Sequence, residues 1–173
     1  DHIISNHINN EILTSIVFFG VLFFASDILQ IPFEWYDTFV IEEKFGFNKV
    51  TPKIFILDKL KSYLLTIIIG GGLLALVIWI YVLSPQYFWG VAWGVVTAFS
   101  LFMSVFYSEI IVPLFNKQTP LEEGKLRDEI EKFANKAGFN LTNIYVIDGS
   151  KRSTKANAYF TGLGSKKRIV LYD

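Results

Sequence analysis

With 173 residues, no cysteine and a net charge of zero from sixteen basic and sixteen acidic side chains, the chain has no disulfide framework, no cysteine-ligated metal and no bulk charge to draw it to nucleic acid. Just over half of its residues are apolar (52%), 17% are aromatic and the mean hydropathy is +0.41. That is more apolar surface than a soluble domain of this length carries, and it fits a chain partly dissolved in lipid.

Residues 1–11 are polar and weakly patterned. They hold the only histidines, His2 and His7, whose separation is not the one-turn spacing of helical metal ligands, so both read as surface residues. The first residue is Asp, and no basic stretch precedes the first apolar run; this argues against a signal peptide and for a piece of a longer protein. The first predicted span is Ile12–Leu29, reaching to about residue 30. Eighteen residues at 1.5 Å rise cover about 27 Å of a hydrocarbon layer ~30 Å thick. Pro32 lies just past the span's end. Asp27, in its last turns, reads as an interfacial acid, because a carboxylate at mid-bilayer would cost about 3 kcal/mol.

Residues 33–61 read as a polar helix-loop at the headgroup level, with Thr51 as N-cap and Pro52 at the first position of a helix that runs through Asp58, Lys59 and Lys61 into the next span. No charge falls between Ser62 and Ser108. This stretch divides at the tight turn Ser84-Pro85-Gln86 into a second span, 62–83, and a third, 87–109. Gly70, Gly71 and Gly72 in the second read as a seat for close helix approach, and Trp89 and Trp93 in the third as interface anchors. Five basic residues lie between spans one and two and the other eleven follow span three. Three crossings put both groups on one side, which the positive-inside rule makes cytoplasmic.

From residue 116 the pattern changes. Thr119-Pro120-Leu121-Glu122 has the residues of a capping box, predicting a helix of about five turns with Leu126, Ile130, Phe133, Ala134 and Ala137 on its apolar face and Gly138 as its stop. Asn143–Ile147, Asn157–Thr161 and Arg168–Tyr172 read as three short strands. One helix and three strands cover only one face of a sheet. The fold class is therefore mainly α: three transmembrane helices within residues 1–115, then an incomplete α+β segment over residues 116–173.

Ile41-Glu-Glu-Lys-Phe-Gly-Phe-Asn48, Pro113-Leu-Phe-Asn-Lys117, Thr119-Pro-Leu-Glu-Glu-Gly124, Asp148-Gly-Ser-Lys-Arg-Ser153, Asn157-Ala-Tyr-Phe160 and Lys167-Arg-Ile-Val-Leu171 resemble, in order and spacing, the membrane zinc proteases called CAAX prenyl endopeptidases. The resemblance runs from about Phe24 onward. It implies seven transmembrane helices around a chamber, capped by a gluzincin-type protease domain facing the cytosol, with the three spans here standing third to fifth. It also implies a multi-pass protein of the endoplasmic reticulum in a eukaryote, or of the cytoplasmic membrane in a bacterium. Its partners would be the lipid bilayer and a peptide, prenylated or otherwise membrane-associated, cut near its C-terminus by water that zinc and a glutamate activate.

Such chemistry needs two histidines one helical turn apart, a glutamate between them and a third ligand. The chain holds no His-Glu-x-x-His. No catalytic residue and no metal ligand is assigned within it, the zinc ligands are expected outside this sequence, and this piece alone is expected to be inactive. What carries over is the substrate-holding strand, Asn157, Ala158, Tyr159 and Phe160, to which a peptide would add as a further strand. Residue chemistry by itself reads Asn157 as a turn cap. Lys151 and Arg152 are candidates for contact with a substrate carboxylate or lipid phosphate, or form a solvated turn. Glu42, Glu43 and Lys44 match the family motif without a role that follows from their chemistry. Ser108-Glu109 and Thr154-Lys155-Ala156 depart from the family pattern and bear on substrate preference. A non-catalytic peptide-binding scaffold is the alternative; a transporter is disfavoured because the spans lack paired broken helices with polar midplane residues.

Overall fold

The computed structural model describes residues 10–139, 141 and 143–173. His2 and His7 lie outside the described residues. Two compact units form, one from Asp1–Phe45 and Thr51–Thr97, the other from Gly46–Val50 and Ala98–Asp173.

Among the described residues, three helical runs are long and apolar enough to cross a membrane: Ile12–Glu42, Pro52–Leu83 and Phe88–Phe115. The first opens as α1 (Glu11–Tyr36), where the side-chain oxygen of Asn10 accepts the Leu13 N–H at 3.0 Å, a cap that the weak patterning of residues 1–11 concealed. Pro32 does not end this helix. It lies inside α1, and the run continues as a π-helical turn, Asp37–Glu42. In lipid, opening the backbone would leave several N–H and C=O groups unsatisfied, a larger loss than the one bond that proline removes. The expected polar connection is correspondingly shorter, and its first third is helix.

The second run begins as read from the sequence. Thr51 Oγ1 accepts the Ile54 N–H at 3.3 Å and Pro52 fills the first turn of α2 (Pro52–Leu65). A π turn, Thr66–Gly70, then leads into α3 (Gly71–Leu83). The glycines are not sealed against a neighbouring helix. A Cβ at Gly71 or Gly72 would meet nothing within 4 Å, and Gly70 and Gly71 line an apolar groove of about 740 Å³ shared with Gly20, Phe24 and Leu74. Asp27 is not a solitary interfacial acid either. It faces α2, where Lys59 bridges it to Glu34 and the Tyr63 hydroxyl donates to its carboxylate.

The third run is α4 (Phe88–Ile110), followed by the single turn α5 (Val112–Phe115). Beyond it, Thr119 and Pro120 do not cap a helix. They belong to β1 (Gln118–Pro120), antiparallel to β2 (Asn143–Ile147). Proline is tolerated there because β1 lies at the sheet edge. The helix α6 therefore starts later and is shorter, Lys125–Lys136. Its packed face is Arg127, Ile130, Glu131 and Ala134, while Leu126 and Phe133 stand exposed. Its stop is as expected. Gly138 takes φ +69°, its N–H reaches the Asn135 carbonyl at 3.1 Å, and the Phe139 N–H reaches that of Ala134 at 2.8 Å, the paired bonds of a Schellman ending.

β3 (Ala158–Thr161) and β4 (Arg168–Tyr172) complete a four-stranded sheet in the order β1-β2-β4-β3, with β2 and β4 parallel and β3 antiparallel to β4. Ile144, Ile147 and Val170 form its buried centre. The β3–β4 turn is tight at Gly162, where φ is +91° and an added Cβ would run into the Lys166 carbonyl.

Candidate functional site

The register puts Gln118, Tyr145, Ile147, Tyr159, Thr161, Arg168 and Val170 on one face of the sheet. That face is not left open, as one helix and three strands had implied, but meets the last turns of α4. Ser108, fully buried, accepts from the Gln118 amide at 3.3 Å and hydrogen-bonds the Tyr159 hydroxyl. Thr161 Oγ1 donates to the Ser104 carbonyl at 3.4 Å. The Arg168 guanidinium is buried, pairs with Glu109 and lies 5.1 Å from the centre of the Tyr145 ring. A buried guanidinium requires such a partner. Ser108 and Glu109, read from the sequence as departures bearing on substrate preference, thus join the helix end to the sheet.

β3 holds the opposite edge, with β4 as its one neighbour among the described residues. The Tyr172 N–H donates to the Asn157 carbonyl at 3.0 Å. Because hydrogen-bonded pairs alternate along an antiparallel ladder, Asn157, Tyr159 and Thr161 turn their backbone groups to β4, and Ala158 and Phe160 turn theirs to the open side. The Asn157 side chain acts here as well, its Oδ1 accepting the Ala158 N–H at 2.8 Å. The four residues read as a substrate strand are therefore together at a sheet edge, and the Asn157 side-chain oxygen is engaged by its neighbour's N–H. The Phe160 ring is 73% exposed and meets Phe139 edge-on, 5.9 Å between centroids.

Tyr159 points inward. Its ring meets that of Tyr172, and both line a cavity of about 200 Å³ with Tyr107, Asn116 and Ile147. Burial raises the Tyr159 phenol above its ordinary value, against a smaller opposing effect of the Ser108 hydrogen bond. A group whose pKa is raised on folding contributes stability that is complete below its unfolded pKa and is lost as pH rises through the folded one. Alkaline titration should therefore show Tyr159 ionising above the ordinary tyrosine range, and its contribution to stability being lost there. Tyr159→Phe should remove one tyrosine's share of the late phenolate absorbance; a late phase of unchanged amplitude in the variant would overturn the assignment.

The segment leading to Asn157 is held from several sides. Asp148 accepts the Lys117 N–H at 2.7 Å and pairs with Lys151. Gly149 packs under the Tyr172 ring, where a Cβ would collide. The N–H and hydroxyl of Ser150 both donate to Asp173, at 2.8 and 2.9 Å, and together hold its carboxyl below the usual carboxylate range. Arg152 donates to the Phe115 carbonyl at 2.9 Å and to the Asn116 side chain. Of the two basic residues read as ligand contacts, Lys151 is exposed beside Asp148 and Arg152 braces the turn after α5.

The loop between the first two spans also joins this segment. Asn48 forms a β-bridge with Ser153, the Lys49 N–H reaches the Arg152 carbonyl at 3.0 Å, and Thr154 bonds the carbonyls of Phe47 and Gly46, each at 3.0 Å. The Gly46–Asn48 end of the family-like motif, with Lys49 just beyond it, thus supports the approach to β3, a role that no local pattern disclosed.

Among the described residues, no group of three or more His, Asp or Glu side chains could hold a metal ion. These residues do not fit the zinc site that the resemblance implies.

Comparison with known proteins gives a consistent result. Residues 1–117 match the family model described as CAAX prenyl protease N-terminal, five membrane helices, and residues 120–173 match peptidase family M48. CAAX prenyl protease 1 homolog of Oryza sativa is 46% identical over 164 residues, 95% of this chain and 39% of that protein. The Mus musculus homolog is 44% identical, with 94% of this chain and 34% of that protein covered, and CAAX prenyl protease 1 of Saccharomyces cerevisiae 43%, with 96% and 37%. The crystal structure of S. mikatae Ste24p superposes with a TM-score of 0.84 at 45% identity, covering 96% of this chain and 39% of that one. The chain thus spans between a third and two fifths of the length of these relatives. It belongs to the CAAX prenyl protease family of M48 peptidases.

Proposed function

We propose that this chain is the membrane-helix and peptide-holding part of a membrane metalloendopeptidase that cuts near the C-terminus of prenylated or membrane-associated peptides. In this reading residues 1–115 form the membrane region and residues 116–173 open the protease domain. The peptide lies as an added strand along β3, bonding the outward carbonyl of Ala158 and the outward backbone of Phe160, with Asn157 at its end. The Asn157 amide still offers its N–H donors beyond the bond to Ala158, and these suit a substrate carbonyl. One observation carries the reading: the strand that matches the family's Asn-Ala-Tyr-Phe motif lies at an edge of the sheet.

The metal, in this proposal zinc, is held by residues in the part of the relatives' length that this chain does not span. The protease segment faces the cytoplasm, a proposal supported by the basic residues that flank the spans on that side.

The full-length protein, purified in detergent and given a farnesylated peptide, is expected to release the peptide's C-terminal residues and to lose that activity on chelation. Peptide bound but left whole would replace the enzyme reading with that of a non-catalytic scaffold.

A further inference from the structure

Glu109 stands apart from the peptide edge, yet it holds two residues, Lys166 and Arg168, of the connection that leads away from that edge. β3 ends at Thr161 and the chain turns tightly at Gly162; the first residue of β4 is Arg168, paired in register with Thr161. Arg168 makes its ion pair with Glu109, and Lys166, from within the turn, approaches the same carboxylate at 3.5 Å. The Arg168 side chain is 9% exposed, so this contact works with little solvent screening, whereas Lys166 is half exposed. On α4 Ser104 lies five residues before Glu109 and Ser108 directly before it, and they take the two inward residues of β3, Thr161 and Tyr159.

We propose that Glu109 is a positioning residue for the peptide edge. Through Arg168 and Lys166 it fixes the β3–β4 hairpin to the end of the third span, and so fixes where the outward backbone of Ala158 and Phe160 stands. The claim rests on the edge-strand reading above. Glu109 acts through other residues and is not itself a peptide contact. Freed from it, the hairpin pivots on the weaker contacts of Thr161 with the Ser104 carbonyl and of Tyr159 with Ser108. A peptide strand then meets donors and acceptors that have shifted, which weakens binding more than it slows the bond-breaking step.

The test is steady-state cleavage of a farnesylated peptide by the full-length protein, with its melting temperature measured in parallel. Glu109→Gln is expected to raise KM roughly tenfold while kcat stays within about twofold. The exchange Glu109→Lys with Arg168→Glu should recover most of that rise. A folded Glu109→Gln protein with the wild-type KM, or an exchange that restores the melting temperature but not KM, overturns the proposal. Should Glu109→Gln fail to fold, Lys166→Ala removes only the exposed half of the contact and should raise KM about threefold; an unchanged KM there is equally fatal. If the wild-type protein cuts no peptide, the protease reading fails on its own. The positioning claim is then read from the Kd of the same peptide, which Glu109→Gln should raise by the same factor.

Discussion

Lys59→Met is expected to destabilise the pairing of the first two spans by about 3 kcal/mol, seen as a lower melting temperature of the full-length protein in detergent. Lys59 Nζ lies 3.0 Å from Asp27 and 2.8 Å from Glu34, and both its side chain and that of Asp27 are 19% exposed. Removing the ammonium leaves two carboxylates facing each other within helices apolar enough for lipid, where an unpaired charge cannot hydrate cheaply. Lys59→Arg should retain most of the stability. Asp27→Asn combined with Lys59→Met should be less damaging than the sum of the two, with a coupling of at least 1 kcal/mol, because the second change removes a charge that the first had orphaned. Glu34, at 41% exposure, is closer to a surface partner, so Glu34→Gln should lose under about 1 kcal/mol. A Lys59→Met protein that melts with the wild type would show that the bridge contributes nothing.

The second large effect is expected at Phe160. Its N–H faces the open side of β3, so Phe160→Pro deletes a donor that the ladder to β4 does not use, at an edge position where proline is tolerated. Folding should be little changed. A peptide that adds as a strand loses a main-chain hydrogen bond of about 1–1.5 kcal/mol, and KM should rise roughly tenfold. Phe160→Ala keeps the N–H and removes the exposed ring, and should have the smaller effect. Equal losses in the two variants would assign the contact to the ring instead of the backbone. Asn157→Ala provides the companion test: lower turnover with stability retained if the amide holds substrate, lower stability alone if its work ends at the Ala158 N–H.

The readable parts of this chain are those decided by residues close in sequence. Length and hydropathy located three spans; Thr51-Pro52 announced a helix start; Gly138 announced a stop; and β2 and β4 run over the residues expected of them. The misread parts were decided by a distant partner. Thr119-Pro120 satisfies the local rule for a helix cap, but pairing with Tyr145 and Val146 draws it into a strand. Asp27 and Lys59 meet across 32 residues, and Glu109 and Arg168 across 59, so neither pair leaves a local trace. The end of the first span, placed before Pro32, was misjudged for another reason. The rule that proline ends helices belongs to water, and α1 is a helix for lipid. At the candidate site, motif resemblance located the strand, but which of its backbone groups face outward became visible only from the register.

The bridge between Asn48 and Ser153 constrains how the chain is threaded through a bilayer. The two residues hydrogen-bond through neighbouring backbone, so they end on the same side. Between them lie the second and third helices long enough to cross, and an even number of crossings is the only count that returns the chain to its starting side. Those two spans must insert together or not at all. The Gly46–Val50 loop cannot take its final form until Thr154, 108 residues beyond Gly46, has been made.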